Sequence, residues 1–197
     1  MGSPHGTALA DAEAPAVRGD VDLVRRAQHG DASAYDDLIR PRIERLLRLA
    51  ISIIGNEPDG RDVVQDVCVQ VWQALPNLRD PERFDAWLSR ILVNGCRSNM
   101  RGRRRVAVRE ISMDGVMGDG PASDDPVPSD HLSTNDAIRR AFDRLDADKR
   151  SILVLHHVDG RSVTEIADLL RIPKGTAMWR LHAARRSLER ALEVERR

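Results

Sequence analysis

The sequence predicts an all-α protein of two small helical domains joined by a flexible acidic linker, the second domain carrying a helix-turn-helix. Apolar residues recur at spacings of three and four over residues 21–105 and again over residues 135–197, as amphipathic helices require. Between them, residues 106–134 are rich in glycine, proline and aspartate, a composition that cannot bury a core. Residues 1–20 have the composition of a disordered tail, and no segment shows the alternation of a strand.

Composition narrows the class of protein further. Hydrophobic residues make up 41% of the 197 residues but aromatic residues only 3%, so the cores must be aliphatic. Cys68 and Cys96 lie far apart in helical patterns and are expected to be buried or half-buried thiols in a reducing compartment rather than a disulfide. Because no apolar run approaches membrane-spanning length and no signal-peptide pattern is present, the chain is expected to be cytoplasmic.

Turn and capping residues divide the first domain into helices. A short helix around Leu23–Ala27 ends at Gly30. Ser33 offers the cap of a longer helix that reaches Ile54 and bends at Pro41.

The next helix is expected to be capped by Asp59 and to run to about Leu75, where Pro76–Asn77 breaks it. Asp80–Pro81 then form the N-cap and first position of a further helix. The core stripe of that helix consists of Phe84, Leu88, Ile91 and Leu92.

The second domain is expected to start near Asn135, with one helix over residues 138–145 and another around residues 152–155. Gly160 ends the latter before the helix-turn-helix of residues 162–188. Ser162 and Glu165 have capping-box spacing, and Pro173 suits the first turn of the following helix. The inner face of that helix is apolar, with Ala177, Leu181, Ala184 and Leu188.

The outer face of this helix pair is cationic, which is typical of a DNA reader, although a solvated amphipathic helix pair shares the pattern. The formal net charge of +0 needs an explanation, because contacts with phosphate supply most non-specific affinity for DNA. Either DNA is not the ligand, or the chain binds DNA only within a larger assembly. Residues 101–105 and 171–197 are basic whereas residues 106–136 are acidic, which favours the assembly.

Two blocks of the sequence resemble conserved regions of bacterial sigma factors. DGRDVVQDVCVQVW at residues 59–72 and FDAWLSRILVN at residues 84–94 are similar to the second region. Residues 145–186 are similar to the fourth, with G-x-S-x-x-E-I-A, I-P-x-G-T and R-L-x-x-A-R in that order. The two blocks together resemble the extracytoplasmic-function (ECF) group. The resemblance implies a non-enzymatic subunit that binds core RNA polymerase and promoter DNA and is held by an anti-sigma factor.

Within the first block, the resemblance implies two binding surfaces. Asp62, Gln65 and Asp66 share a helix face that would hold the clamp helices of core polymerase. The following helix, with the loop Pro76–Arg83, would grip the −10 element and trap an unstacked base. The −10 candidates are Arg90, Asn94, Arg97, Arg101, Arg103 and Arg104. Trp87 is expected to pack rather than to touch DNA.

Within the fourth region, the resemblance implies that the second helix of the helix-turn-helix enters the major groove at the −35 element. Candidates for base edges or flanking phosphates are Lys174, Thr176, Met178, Trp179, Arg180 and His182, with Arg185 and Arg186 as phosphate contacts. In the family the linker threads the active-site cleft and RNA exit channel, which the acidic composition fits, although any solvated tether has a similar composition.

The chain departs from the sigma pattern at several positions. Arg171 stands where the family usually has a glycine, so a positive φ there would cost about 1 kcal/mol. Gly95 is expected to weaken its helix by about 0.5–1 kcal/mol relative to alanine. Ser98 replaces a common acidic residue, and Met178 and Trp179 replace small or basic ones, so the upstream promoter element is expected to be unusual.

Two other function classes stay open. A stand-alone helix-turn-helix regulator would bind duplex DNA without polymerase, but it should carry a sensing domain of alternating strands and helices. An enzyme would need a set of reactive side chains. The sequence has no Cys/His cluster with the spacing of a zinc site, no phosphate-binding loop and no nucleophile elbow. His156–His157 are adjacent, so they cannot face one metal from a helix. No catalytic residue, metal or cofactor is therefore predicted.

Overall fold

The computed structural model describes residues 15–114 and 134–195, and over these ranges the backbone is helical apart from short turns. The predicted all-α class is thus confirmed. None of the helices in the described ranges is both long and apolar enough to cross a membrane.

The first helices form around a proline turn. α1 spans Pro15–Gln28, α2 spans Ala32–Ile39, and α3 spans Ile43–Ile54. Pro41 lies in a short 3-10 turn that separates α2 from α3, where a single bent helix was predicted. Because proline cannot donate a backbone hydrogen bond, the helix breaks there rather than bending.

Two helix caps differ from the prediction by a few residues. The N-cap of α2 is Asp31, not Ser33, and its carboxylate accepts a hydrogen bond from the Ala34 amide at 3.0 Å. The helix that carries the first sigma-like block, α4, spans Glu57–Ala74 and is capped by Asn56, not Asp59. Each of the predicted caps lies inside its helix, so the cap is the candidate nearer the preceding turn.

The longest helix is α5, which spans Phe84–Asp114 and follows the predicted Asp80 cap and a 3-10 turn over Pro81–Arg83. Residues 15–20 and 106–114 are therefore helical where the sequence predicted tail and linker. The rest of the predicted tail and linker lies outside the described residues, and the division into domains stays a prediction.

The C-terminal half contains α6 (Thr134–Asp143), α7 (Ala147–His157), α8 (Val163–Leu170) and α9 (Lys174–Glu195). α6, α7 and α8 all pack on α9. α7 also packs against α3 and α5, and α8 against α5, so the two halves are in contact. The buried side chains accordingly form one cluster that runs through both halves. It is aliphatic as expected, and includes Leu38, Leu46, Val67, Leu88, Ile152, Leu155 and Ile166.

Two glycines allow helices to approach closely. A Cβ on Gly60 of α4 would lie 2.7 Å from Ile51 Cγ1 and 3.2 Å from the Ile51 Cα on α3. A Cβ on Gly95 of α5 would lie 3.2 Å from Val67 Cγ2 on α4. The expected weakening by Gly95 is thus accompanied by closer packing of α4 and α5, which the sequence pattern did not predict.

The first prediction compares two glycines in helices. Gly60→Ala should lower the free energy of unfolding by about 1–3 kcal/mol, because the Ile51 backbone cannot move aside easily. Gly102→Ala, where nothing lies within 4 Å of the new Cβ, should raise it by about 0.5–1 kcal/mol through helix propensity. Urea unfolding followed by circular dichroism checks both, and shifts of the same sign in the two variants would contradict the packing argument.

Candidate nucleic-acid interface

The helix-turn-helix is built by α8, a short turn and α9. The Ser162 hydroxyl accepts a hydrogen bond from the Glu165 amide at 3.2 Å, and the Glu165 carboxylate accepts one from the Ser162 amide at 2.8 Å. The predicted capping box is therefore confirmed. Pro173 directly precedes α9 instead of occupying its first turn, and its carbonyl accepts a hydrogen bond from the Ala177 amide at 3.0 Å.

The turn between α8 and α9 requires a left-handed backbone at Arg171. Its φ is 54° and ψ is 49°, and among the described residues it alone has a positive φ without being glycine. The expectation of a positive φ at this position is confirmed. Since glycine adopts this conformation without penalty, Arg171 stores a local cost of about 1 kcal/mol.

α9 separates a buried face from an exposed one. Ala177, Leu181 and Ala184 are buried against the rest of the helical bundle. On the opposite face, Met178 is 57% exposed and Trp179 is 66% exposed. Large apolar side chains are seldom left this open without a partner. The structure exposes all the other −35 candidates except the half-buried Thr176, namely Lys174, Arg180, His182, Arg185 and Arg186.

α4 also presents an exposed face opposite its core. Asp62, Gln65 and Asp66 are exposed as predicted. The same face continues into Val69, which is 52% exposed, and Trp72, which is 36% exposed and meets the Tyr35 ring edge-on at 5.0 Å. These two residues were not among the predicted site residues, although their helical spacing from Asp62 and Asp66 places them on this face. The face is thus acidic at one end and apolar at the other.

The −10 candidates on α5 are not all exposed to solvent. Asn94, Arg101 and Arg104 are exposed, and Arg103 is exposed and paired with Asp59.

Arg90 and Arg97 are half-buried, because α7 and α8 pack over this part of α5. The Arg97 side chain is only 12% exposed, and its Nε lies 2.9 Å from Asp148 Oδ1 on α7. The N–H does not point at that oxygen, so Nε lacks a hydrogen-bond partner. Burial is the main cause that lowers the pKa of Arg97, and the Asp148 carboxylate opposes it.

A cleft of about 860 Å³ separates the 77–83 loop and α5 from the α8–α9 turn. Its cationic lining consists of Arg79, Arg83, Arg90, Arg161 and Arg171, and its acidic lining of Asp80, Glu165 and Asp168. Trp87 also lines the cleft and packs beside Phe84, with ring centroids 5.9 Å apart. The expectation that Trp87 packs in the protein is confirmed, and the residue is also part of the cleft lining.

Among the residues that the structure describes, no group of three or more His, Cys, Asp or Glu side chains is placed to hold a metal ion. His156 Nδ1 lies 2.9 Å from the Arg161 carbonyl oxygen, so this ring is engaged by the turn before α8. Cys96 is buried, Cys68 is half-buried, and both are free thiols as expected. Burial raises the pKa of Cys96 to about 12, which makes it unreactive at neutral pH.

Two family models match consecutive parts of the chain. Sigma-70 region 2 matches residues 30–106, which span α2 to most of α5. Sigma-70 region 4 matches residues 135–188, which contain the helix-turn-helix. The chain belongs to the ECF group of bacterial sigma factors. Residues 30–106 are called region 2 below, and residues 135–188 region 4.

Several curated relatives align with nearly the whole of this sigma factor. RNA polymerase sigma-H factor of Pseudomonas aeruginosa is 28% identical, covering 88% of this chain and 94% of the relative. ECF sigma factor SigE of Mycolicibacterium smegmatis is 32% identical, covering 81% of this chain and 63% of the relative. ECF sigma-E factor of Escherichia coli is 29% identical, with coverages of 87% and 93%.

Solved structures give the same fold. CnrH in complex with the cytosolic domain of CnrY has a TM-score of 0.60 at 27% identity, covering 89% of this chain and 98% of that chain. The sigma factor RpoE of Bartonella quintana, solved with the anti-sigma factor NepR, has a TM-score of 0.60 at 24% identity, covering 81% of this chain and 97% of that one. At this identity the second likeness supports the fold alone.

The second prediction concerns the strained turn of the helix-turn-helix. The free energy of unfolding of Arg171→Gly should exceed that of Arg171→Ala by up to about 1 kcal/mol, because only glycine removes the cost of the left-handed backbone. Urea unfolding of the two variants measures the difference. Both variants lose the repulsion between Arg171 and Arg90, so their difference isolates the backbone. An alanine variant as stable as the glycine variant would show that the turn is unstrained.

Proposed function

We propose that this sigma factor directs promoter recognition and DNA opening by core RNA polymerase through three helical faces: α4 binds polymerase, α5 with the 76–83 loop engages the −10 element, and α9 reads the −35 element. The observation that carries the proposal is that region 2 and region 4 each hold an exposed, chemically distinct helix face opposite a buried core. The chemistry of RNA synthesis belongs to the polymerase, and no residue of this chain is assigned a catalytic role.

The α4 face has the features of a protein-binding surface. Its carboxylates at Asp62 and Asp66 steer a basic partner and fix orientation, while an exposed aromatic such as Trp72 supplies the burial that gives affinity. Val63 and Val67 are buried directly behind this face, so the carboxylates are presented on a rigid helix. A basic or polar helix of core polymerase fits these features.

The α5 surface suits a single DNA strand. Arg101 and Arg104 supply cations for the backbone, and Trp87 on the cleft wall offers an aromatic edge beside the 77–83 loop. Capture of an unstacked base needs both elements, with each stacked base contributing about 1–3 kcal/mol.

The outer face of α9 suits a duplex. Met178 and Trp179 are placed to contact thymine methyl groups or base edges in the major groove, and Arg185 and Arg186 to contact phosphates. Since the net charge is +0, the free chain has little long-range attraction to DNA. Affinity then arises when polymerase holds both regions, so that the second contact becomes intramolecular.

A stand-alone regulator is not favoured, because the matched region 2 occupies the place where a sensing domain would stand. An anti-sigma factor is proposed as a further partner. The support is that the similar protein CnrH was solved in complex with the cytosolic domain of CnrY, and that the side chains on one face of α4 and one face of α9 are exposed.

The test of the proposal is single-round transcription from a promoter library by core polymerase, with and without this protein. Selection of a defined set of start sites only when the protein is present is the expected result. Failure to co-elute with core polymerase, together with no start-site selection, would contradict the proposed function.

The third prediction concerns polymerase binding. Replacing Asp62 and Asp66 together by lysine should weaken binding to core polymerase at least roughly tenfold, because like charges then face each other across the interface. Replacing Asp36 and Asp37 together by lysine, two exposed carboxylates on α2, makes the same change in net charge; this matched control should bind normally. Competition with the unmodified protein, followed by fluorescence anisotropy, measures both, and equal loss in the control would point to a general charge effect.

The fourth prediction separates base from phosphate contacts on α9. Trp179→Ala should change which −35 sequences are selected, whereas Arg185→Ala should weaken all promoters similarly and reduce the salt dependence of binding by about one ion. Arg190→Ala, exposed further along α9, is the control. Promoter-library transcription with the reconstituted holoenzyme reads out both. Unchanged selection and strength in Trp179→Ala would remove this residue from the interface.

A further inference from the structure

The loop proposed to engage the −10 element is held at its backbone by α1. Gln28, the last residue of α1, donates from Nε2 to the Leu78 carbonyl at 2.7 Å and to the Leu75 carbonyl at 3.1 Å. Because both partners are carbonyl oxygens, only the nitrogen end of the Gln28 amide can face them. Among the described residues, no other side chain from outside residues 75–83 bonds to the backbone of this segment. The two bonds are named the Gln28 brace.

α1 is itself anchored, so the brace has a fixed base. Val24 and Ala27 are buried in the core. Asp20, one helical turn before Val24, accepts a hydrogen bond from Arg42 Nη2 at 2.6 Å, and the same guanidinium pairs with Asp85 of α5 at 2.7 Å. α1 also packs against both 3-10 turns of the loop. A helix held at these points gives the amide at its end a defined position.

The brace acts where the loop leaves its first 3-10 turn. Leu78 follows that turn with an extended backbone, and its amide donates to the same Leu75 carbonyl at 3.0 Å. The neighbouring side chains, Asn77 and Arg79, are exposed and line the cleft. The bond from Gln28 to the Leu78 carbonyl fixes the peptide plane before Arg79, and with it the directions in which the flanking side chains leave the loop.

We propose that Gln28 is a positioning residue for −10 recognition, whose amide holds the 76–83 loop in the conformation that takes an unstacked base. Base selection then depends on α1, which ends before the segment that matches region 2. The inference rests on the proposed function for the role of the loop, while the brace is a property of the free chain. A loop already in its binding conformation loses less conformational freedom when the base enters.

Two variants remove the donors and keep the length of the side chain. Gln28→Met has no polar hydrogen, and Gln28→Glu places a carboxylate against two carbonyl oxygens. The matched controls are His29→Met and His29→Glu, which make the same replacements at the neighbouring exposed position. In the free full-length chain, hydrogen exchange followed by NMR should show the Leu78 amide exchanging at least roughly threefold faster in both Gln28 variants but not in the controls.

The functional readout is base preference in a promoter library randomised at both elements and transcribed by the reconstituted holoenzyme. Both Gln28 variants should lower the preference for the best base at the most selective −10 position at least roughly threefold, because a released loop holds each base less well. The −35 preferences should not change. A merely destabilised protein would instead lose transcription from all promoters in parallel and keep its base preferences.

An abasic site at that −10 position, placed in each strand in turn, tests whether Gln28 acts through the captured base. With the unmodified protein, the abasic site in the captured strand should slow open-complex formation, measured with a fluorescent promoter. In the Gln28 variants the same site should slow it much less, since both changes act on one contact and their effects are not additive.

The outcomes separate the brace from the proposed function. An unchanged exchange rate of the Leu78 amide in both Gln28 variants would overturn the brace, and so would faster exchange with an unchanged −10 preference. A parallel loss from all promoters, or an abasic effect as large in the variants as in the unmodified protein, would also overturn it. If the unmodified protein selects no start sites with core polymerase, the proposed function fails, whereas exchange in the free chain decides the brace by itself.

Discussion

The buried carboxylate of Asp159 is the interaction on which the arrangement of the two regions depends. Burial by itself raises the pKa of a carboxyl group, but hydrogen bonds from Arg45 and Arg161 outweigh it and leave the pKa of Asp159 below its ordinary value. The carboxyl group of Asp159 is therefore charged at neutral pH. Its full contribution to the packed arrangement of the two regions is present above the pKa that the group has in the unfolded chain. That stabilisation is lost only as the pH falls through the lower folded value. A buried charge that loses its partner is costly, so contact between the regions is specific rather than a loose apolar association.

In the proposed function, each partner has its own helix face. α4, α5 and α9 each bury an aliphatic stripe. The opposite face carries acidic and apolar side chains on α4, cationic side chains on α5, and both cationic and large apolar side chains on α9. With a net charge of +0, no single face gives strong attraction to DNA. Under the proposed function, specific binding depends on bringing two weak faces together on one polymerase, and the free protein is expected to bind chromosomal DNA weakly.

Residues with an unfavourable local backbone energy lie where two helices approach closely or where the chain turns sharply. Gly60 and Gly95 give up helix propensity so that α4 can approach α3 and α5. Gly55 ends α3 with a φ of 98°, and a side chain there would meet Arg150 Nη1 and Asp143 Oδ1, so its absence also makes room for region 4. Arg171 accepts the strained turn of the helix-turn-helix and places a cation on the cleft wall.

The sequence alone determined the helical class, the capping box at Ser162 and the inner face of α9, because these follow from periodicity and from residues a turn or less apart. The order of the two regions followed from the resemblance of their motifs to those of sigma factors. It misplaced the caps at Asp31 and Asn56, since neighbouring polar residues offered equally good local partners. It ended α5 too early, because residues 106–114 were grouped with the segment rich in glycine, proline and aspartate that follows them. Only the tertiary structure decided that Arg97 is largely covered, that Arg90 lines the cleft, and that Val69 and Trp72 extend the α4 face. The ion pair between Arg45 and Asp159 joins residues 114 positions apart, and no local pattern links side chains at that separation.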